Sequence, residues 1–173
     1  MSAIQVGILM GSDSDWSKID GVAKALDEFG VQYEVNVMSA HRTPATVQKY
    51  AETAISRGLS VVICAAGGAA HLAGVVASHT TLPVIGIPVP TELAGGLDSL
   101  LSTVQMPGDI AVATVGVGSG GARNAGLLAV QILALSDLGL RKKLEEFRAK
   151  LPQKIVEKNV KLNDRIQEIR SNS

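Results

Sequence analysis

Short runs of apolar and β-branched residues alternate along the chain with longer segments that place apolar residues at helical spacing. The five apolar runs lie at Ile4–Met10, Gln32–Val37, Ser60–Ala66, Val84–Val89 and Ile110–Val117. Strands that alternate with helices are typical of a parallel sheet. The third and fourth runs are almost continuously apolar, which is expected of strands covered by helices on both faces. The pattern therefore predicts a parallel sheet between two layers of helices.

Polar and small residues mark where the intervening helices begin and end. Ser14 or Asp15 is expected to cap a helix over residues 16–29, and Gly30 stands where that helix should stop. Thr43 is expected to cap the helix that precedes the third strand. These boundaries complete five strand–helix units. They predict an α/β fold with a five-stranded parallel sheet in the flavodoxin-like order 2-1-3-4-5.

A charged helical region, Leu138–Ile169, follows the five units, and Pro152 is expected to break it. Residues 1–136 carry six Lys and Arg against ten Asp and Glu, whereas residues 137–173 carry ten against six. A basic tail of this length has little room on a five-stranded domain. We therefore predict an α/β domain at 1–136 and a helical extension at 137–173 that packs on neighbouring subunits.

Composition narrows the classes of function. Five aromatic residues, with sixteen Lys and Arg against sixteen Asp and Glu, argue against a nucleic-acid partner. No uncharged apolar run reaches the ~18 residues of a membrane span, and no basic segment precedes the first apolar run. We therefore expect a cytoplasmic protein without a membrane partner. Cys64, the single cysteine, lies in an apolar run and is expected in the core.

Loops after the first three strands carry the polar residues best placed for chemistry. They are residues 11–15, 39–44 and 67–72. Because the carboxyl ends of parallel strands meet at one edge of a sheet, these loops should form one crevice. They would bring together hydroxyls, carboxylates, the Arg42 guanidinium, two imidazoles and glycine-rich backbone.

The first two loops fit a phosphate. Hydroxyls and N–H groups of residues 12–15 could hold it, Arg42 could bind its oxygens, and a carboxylate could accept hydrogen bonds from a ribose. Helix capping by Ser12 and Asp15 explains the first loop equally well. Because neither loop carries a Walker lysine or a GxGxxG pattern, a monophosphate fits better than a triphosphate or a dinucleotide.

His41 and His71 stand at equivalent places in neighbouring loops. A lone histidine is more often structural, but an imidazole can give and take a proton near neutral pH. The small residues of the third loop fit a tight turn, and they also fit a hollow for a carboxylate or carbon dioxide. The sequence lacks the His and Cys spacing of a zinc site.

These motifs resemble the class I N5-carboxyaminoimidazole ribonucleotide mutases of bacterial purine biosynthesis, the PurE family. The resemblance covers about residues 4–135 in family order. It rests on residues 10–16, 39–44, 66–72, 98–100 and 104–107. The family is expected to isomerise its ribonucleotide substrate through carbon dioxide and aminoimidazole ribonucleotide, without ATP, biotin or metal. The resemblance also implies that the protein is a cytoplasmic homo-octamer.

The resemblance also implies a role for each matching residue. His41 is implied as the general acid and base, with His71 in support. The ribonucleotide would be held by Ser12, Asp15, Ser39 and Arg42. The third loop would form the carboxyl pocket, through Gly67, Gly68, Ala69, Ala70 and Leu72. Two positions depart from the family pattern: Ala73 replaces the usual Pro, and Thr103, expected near a subunit contact, replaces Ile.

Two other functions remain open on sequence. A related aminoimidazole ribonucleotide carboxylase takes free carbon dioxide and resembles this chain in the first two loops, but the third loop favours the mutase. A non-catalytic sensor of nucleoside monophosphates would need the phosphate residues but has no use for His41 beside an empty hollow. A flavin-binding module is supported by the fold class alone.

Overall fold

The computed structural model describes residues 3–171 and contains, within them, a five-stranded sheet in the order β2-β1-β3-β4-β5. All four neighbouring pairs are parallel. The strands are β1 (Val6–Met10), β2 (Tyr33–Val37), β3 (Val61–Ala66), β4 (Val84–Pro88) and β5 (Ala113–Thr114). The helices are α1 (Trp16–Ile19), α2 (Gly21–Phe29), α3 (Pro44–Thr53), α4 (Leu72–Ser78), α5 (Leu97–Val104), α6 (Ser119–Leu133) and α7 (Leu138–Ser171). The predicted fold class and strand order are confirmed.

The three central strands form the core of the sheet. Every residue of β1 and β4 is buried, as are the first five residues of β3. Cys64 lies among them, 1% exposed, and this burial raises the pKa of its thiol. The edge strand β2 leaves Val35 and Val37 exposed. Burial on both faces explains the continuous apolar runs of the central strands.

The fifth strand is shorter than predicted. The apolar run suggested residues 110–117, but β5 pairs with β4 only at Ala113 and Thr114. The residues before it turn sharply, since Asp109 has φ +73°. Val112, directly before the strand, packs partly buried against the core and does not pair in the sheet.

Two helices begin at the predicted residues, but the predicted capping bonds are absent. Asp15 precedes α1 without a side-chain capping bond, and Ser12 caps the turn before it by accepting a hydrogen bond from the Ser14 N–H. Thr43 precedes α3, but its hydroxyl bonds the backbone of Ser39 instead. The helix predicted over 16–29 divides at Asp20 into α1 and α2. Gly30 ends α2 with φ +73°, as predicted.

The chain separates into one compact unit that ends at Leu133 and another that begins at Ala134. The second unit consists mainly of α7, which continues through Pro152. The predicted break there is wrong: proline removes one helical hydrogen bond, while the bonds before and after it keep the exposed helix together. Among residues 3–171, no helix is both long and apolar enough to cross a membrane.

An ionic cluster joins β2, α3 and the segment after α3. Tyr50 Oη and Arg57 Nη1 each donate to Glu34 Oε1 at 2.6 Å. The Arg57 guanidinium also lies 4.4 Å from the centre of the Tyr50 ring. Partial burial acts to raise the pKa of Glu34, but the two hydrogen bonds outweigh it and hold that pKa below its ordinary value.

We expect Glu34→Gln to lower the free energy of unfolding by about 0.5–1 kcal/mol at pH 7, a small value because the pair is partly exposed. Because the folded state lowers this pKa, the carboxylate stabilises the fold above its unfolded pKa and loses that effect as the pH falls through the folded value. Urea unfolding at pH 7 and pH 3 should show the difference from the unchanged protein shrinking in acid. Glu28→Gln, which breaks the more exposed pair with Arg123, is the control and should have a smaller effect.

Candidate active site

The loops after β1, β2 and β3 meet at the carboxyl edge of the sheet and enclose a cavity of about 400 Å³. Its lining contains most of the residues singled out in the sequence. The lining residues are Gly11, Ser12, Asp15, Ser39, Ala40, His41, Arg42, Ala66, Gly67, Ala69 and Leu72. The three loops therefore form one crevice.

Three of the predicted site residues lie outside this lining. His71 contacts the cavity through His41, and Ala70 is buried behind the loop at 1% exposure. Gly68 has φ +65° and faces α5. The exposed part of the third loop's wall, Gly67 and Ala69, thus has no side chain larger than a methyl group, and the buried Leu72 completes the lining at the start of α4.

The two histidines are in direct contact. His41 Nε2 lies 2.9 Å from His71 Nδ1, and the rings meet edge to face with centroids 5.0 Å apart. One of the two nitrogens must carry the hydrogen of this bond, so the tautomer of each ring depends on the other. A proton gained by His41 can therefore be shared with His71.

The Ser39 hydroxyl shapes the second loop. Its oxygen accepts the backbone N–H groups of His41 at 3.3 Å and of Arg42 at 3.2 Å. These bonds turn the chain so that both side chains face the cavity. The role of Ser39 in the free protein is therefore to fix the loop that carries the imidazole and the guanidinium.

Arg42 borders a second hollow of about 320 Å³ that shares Gly11, Ser12 and Ser39 with the main cavity. The Nη2 atom of Arg42 donates a hydrogen bond to Gly11 O at 2.8 Å. The guanidinium is thus held beside both hollows by a neutral carbonyl and keeps further N–H groups for an anion. A phosphate and a neighbouring ring could occupy the two hollows together.

Asp15 lines the main cavity from the first loop. Burial is the largest influence on its carboxyl and raises the pKa above the ordinary value, against the attraction of Lys18. Its backbone N–H donates to Ser12 O at 3.2 Å. The carboxyl is placed to accept hydrogen bonds from ligand hydroxyls.

Several residues that matter here were not predicted as site residues. Gly11, Ala40 and Ala66 line the cavity because they adjoin the polar motifs. Ser99 and Ser102 of α5 bond the backbone of Gly68 from behind. The sequence gives only one signal for Ser99, its place within the motif shared with the mutase family.

The two residues that depart from the family pattern are both buried. Thr103 faces the interior of its own unit, 3% exposed, and donates to Ser99 O at 2.7 Å, so its hydroxyl does not lie at a surface. Ala73 is buried in the first turn of α4.

Comparison with protein families finds a match to the family model described as AIR carboxylase over residues 5–154. Two curated relatives that match most of the chain are both named N5-carboxyaminoimidazole ribonucleotide mutase. The Mycobacterium leprae protein is 56% identical over 158 residues, covering 91% of this chain and 91% of the relative. The Bacillus subtilis protein is 54% identical over 157 residues, covering 91% and 97%.

Solved structures show the same architecture. The crystal structure of Treponema denticola PurE matches with a TM-score of 0.80 at 32% identity, covering 91% of this chain and 98% of that one. A variant of Treponema denticola PurE2 matches with a TM-score of 0.82 at 30% identity, covering 93% and 99%. These two structural matches thus cover at least 91% of this chain.

Proposed function

The chain belongs to the AIR carboxylase family, and from that premise we propose that it isomerises N5-carboxyaminoimidazole ribonucleotide to 4-carboxy-5-aminoimidazole ribonucleotide in purine biosynthesis. The observation that carries this proposal is His41, paired with His71, beside a cavity wall made of Gly67 and Ala69. Identities of 54–56% to curated mutases support the same activity.

The ribonucleotide is held by the first two loops. Arg42 binds the phosphate with charge-assisted hydrogen bonds, and the Ser12 and Ser39 hydroxyls add neutral ones. Asp15 accepts hydrogen bonds from the ribose. This arrangement presents the imidazole ring of the substrate to His41 and its carboxyl group to the third loop.

The carboxyl group moves in two steps. His41 donates a proton to the carbamate nitrogen as the nitrogen–carbon bond breaks, which leaves aminoimidazole ribonucleotide and carbon dioxide. The electron-rich ring carbon then attacks carbon dioxide and forms a carbon–carbon bond. His41, now the base, removes the proton from that carbon, so the net change is an isomerisation without ATP, biotin or metal.

Confinement determines the yield of this reaction. Carbon dioxide that stays within the carboxyl pocket meets the ring carbon at a high effective concentration, whereas carbon dioxide that escapes is lost to solvent. Gly67 has no side chain and Ala69 carries only a methyl group, so this wall leaves room for carbon dioxide next to the ring. Closed walls are therefore as necessary as the proton transfer.

The proposal extends to assembly and location. We infer that the chain forms a homo-octamer, with residues 137–173 packing on neighbouring subunits, and that it works in the cytoplasm. Sedimentation of the purified protein tests the assembly.

The second candidate is the reaction named in the family description, carboxylation of aminoimidazole ribonucleotide by free carbon dioxide. The purified protein is given either the carbamate ribonucleotide or aminoimidazole ribonucleotide with bicarbonate, both without ATP, and the carboxylated product is quantified by chromatography. We expect efficient conversion of the carbamate at low enzyme concentration. Conversion of the second mixture alone would establish the direct carboxylase, and conversion of neither would leave a binding protein.

A further inference from the structure

The wall of the carboxyl pocket is held from outside the cavity by α5. The Gly68 N–H donates to Ser99 Oγ at 2.9 Å, and the Ser102 hydroxyl lies 3.0 Å from Gly68 O. Ser99 thus accepts the N–H of Gly68, whereas the single hydrogen of the Ser102 hydroxyl is shared between Gly68 O and Asp98 O, which lies 2.7 Å away in the same helix. Ser99 is fully buried, so water cannot replace its bond.

The Asp98 carboxylate holds the backbone at the start of α5, next to the Ser99 hydroxyl. Asp98 Oδ1 accepts the Thr91 hydroxyl and the Ser99 N–H, and it lies 3.5 Å from Ser99 Oγ. The bond from Thr91 is the largest influence that lowers the pKa of Asp98, so the carboxyl is ionised at neutral pH. The contact between Ser99 Oγ and this carboxylate is long, so the short bond of the hydroxyl oxygen is the one that it accepts from the Gly68 N–H at 2.9 Å.

Holding Gly68 also holds the residues on either side of it. Gly67 and Ala69 are its chain neighbours, and both line the cavity. Gly68 itself has φ +65°, and its carbonyl accepts the Ala70 N–H at 2.8 Å, which closes a tight turn. Ala70 and Leu72 anchor the far end of the loop by burial, whereas Gly67 and Ala69 are exposed, so the bonds of Gly68 to α5 are the polar contacts that hold this part of the wall.

We propose that Ser99, assisted by Ser102, is a positioning residue that keeps the carboxyl pocket closed while carbon dioxide is free, an inference that rests on the proposed isomerase reaction. Ser99 lies behind the loop and acts through Gly68. Its loss therefore affects the fate of carbon dioxide more than the binding of the ribonucleotide.

The test is Ser99→Ala, given the carbamate ribonucleotide and ¹³C-bicarbonate without ATP. Released aminoimidazole ribonucleotide and the label in the product carboxyl are measured, with an enzyme-free blank subtracted. We expect the ratio of released intermediate to product to rise about fivefold, as for the loss of one buried hydrogen bond. Label should enter the product, while KM changes little.

Thr103→Val is the matched control, because it removes another buried hydroxyl of α5 that bonds Ser99 O and not Gly68. It should lower the midpoint of thermal unfolding and leave the ratio and the label unchanged. Ser102→Ala should raise the ratio as well, and it decides the question if Ser99→Ala does not fold.

Unchanged ratios in the serine variants, or equal leakage from Thr103→Val, would overturn the positioning role. Failure of the proposed function gives a different result, because the unsubstituted protein would then form no product or, as a direct carboxylase, product whose carboxyl group already carries the label of the free bicarbonate.

Discussion

His41→Asn is expected to lower turnover of the carbamate ribonucleotide by roughly 10²- to 10⁴-fold, the range for loss of a general acid and base. Asparagine keeps a polar side chain of similar reach but cannot exchange a proton near neutral pH. Because Arg42 and the loop hydroxyls remain, binding of the ribonucleotide should change by no more than a few fold. Steady-state kinetics and calorimetric binding measure the two quantities separately.

His79→Asn provides the matched control for this substitution. His79 ends α4 and pairs with Glu52 at 3.8 Å, outside the residues that line the cavity. Its replacement should leave turnover intact. Full activity of His41→Asn would remove His41 from its proposed role, whereas equal losses in both variants would point to a general effect on the fold.

Arg42→Ala should weaken binding of the ribonucleotide by roughly 10- to 150-fold, the equivalent of the 1.5–3 kcal/mol of a hydrogen bond to a charged group. The Arg42 guanidinium already lies beside the cavity, bonded to Gly11 O, so little conformational entropy is lost when a phosphate arrives. The effect should appear mainly in KM, because the phosphate is distant from the bond that breaks.

Two further variants sharpen that measurement. Arg42→Lys keeps the charge but loses the planar fork, so its KM should fall between those of the unchanged protein and Arg42→Ala. Lys49→Ala removes one positive charge from the exposed surface of α3 and should have little effect. If Arg42→Ala bound the ribonucleotide normally, the phosphate would have to lie elsewhere.

The sequence predicts the sheet best where burial is strongest. The central strands β1, β3 and β4 start within two residues of their predicted positions, because both of their faces must be apolar. The apolar pattern does not predict the short β5 or the continuity of α7 through Pro152. Each depends on which backbone groups form hydrogen bonds, and the spacing of apolar side chains carries no information about that.

The polar part of the candidate site is also largely predictable from the sequence. Parallel strands place the loops of Ser12, His41 and Gly67 at one edge, so their proximity follows from the strand order. The contact between His41 and His71 depends on side-chain rotamers and needs coordinates. The contact of Ser99 with Gly68 spans 31 positions and leaves no periodic trace in the sequence.

The buried thiol described above has a practical consequence. Cys64 is the single cysteine and is almost fully enclosed in β3, so alkylating reagents should react with the native protein very slowly. The rate of alkylation would then report how often the sheet opens far enough to expose the thiol. A fluorophore attached through Lys49→Cys would label the surface of α3 with almost no background.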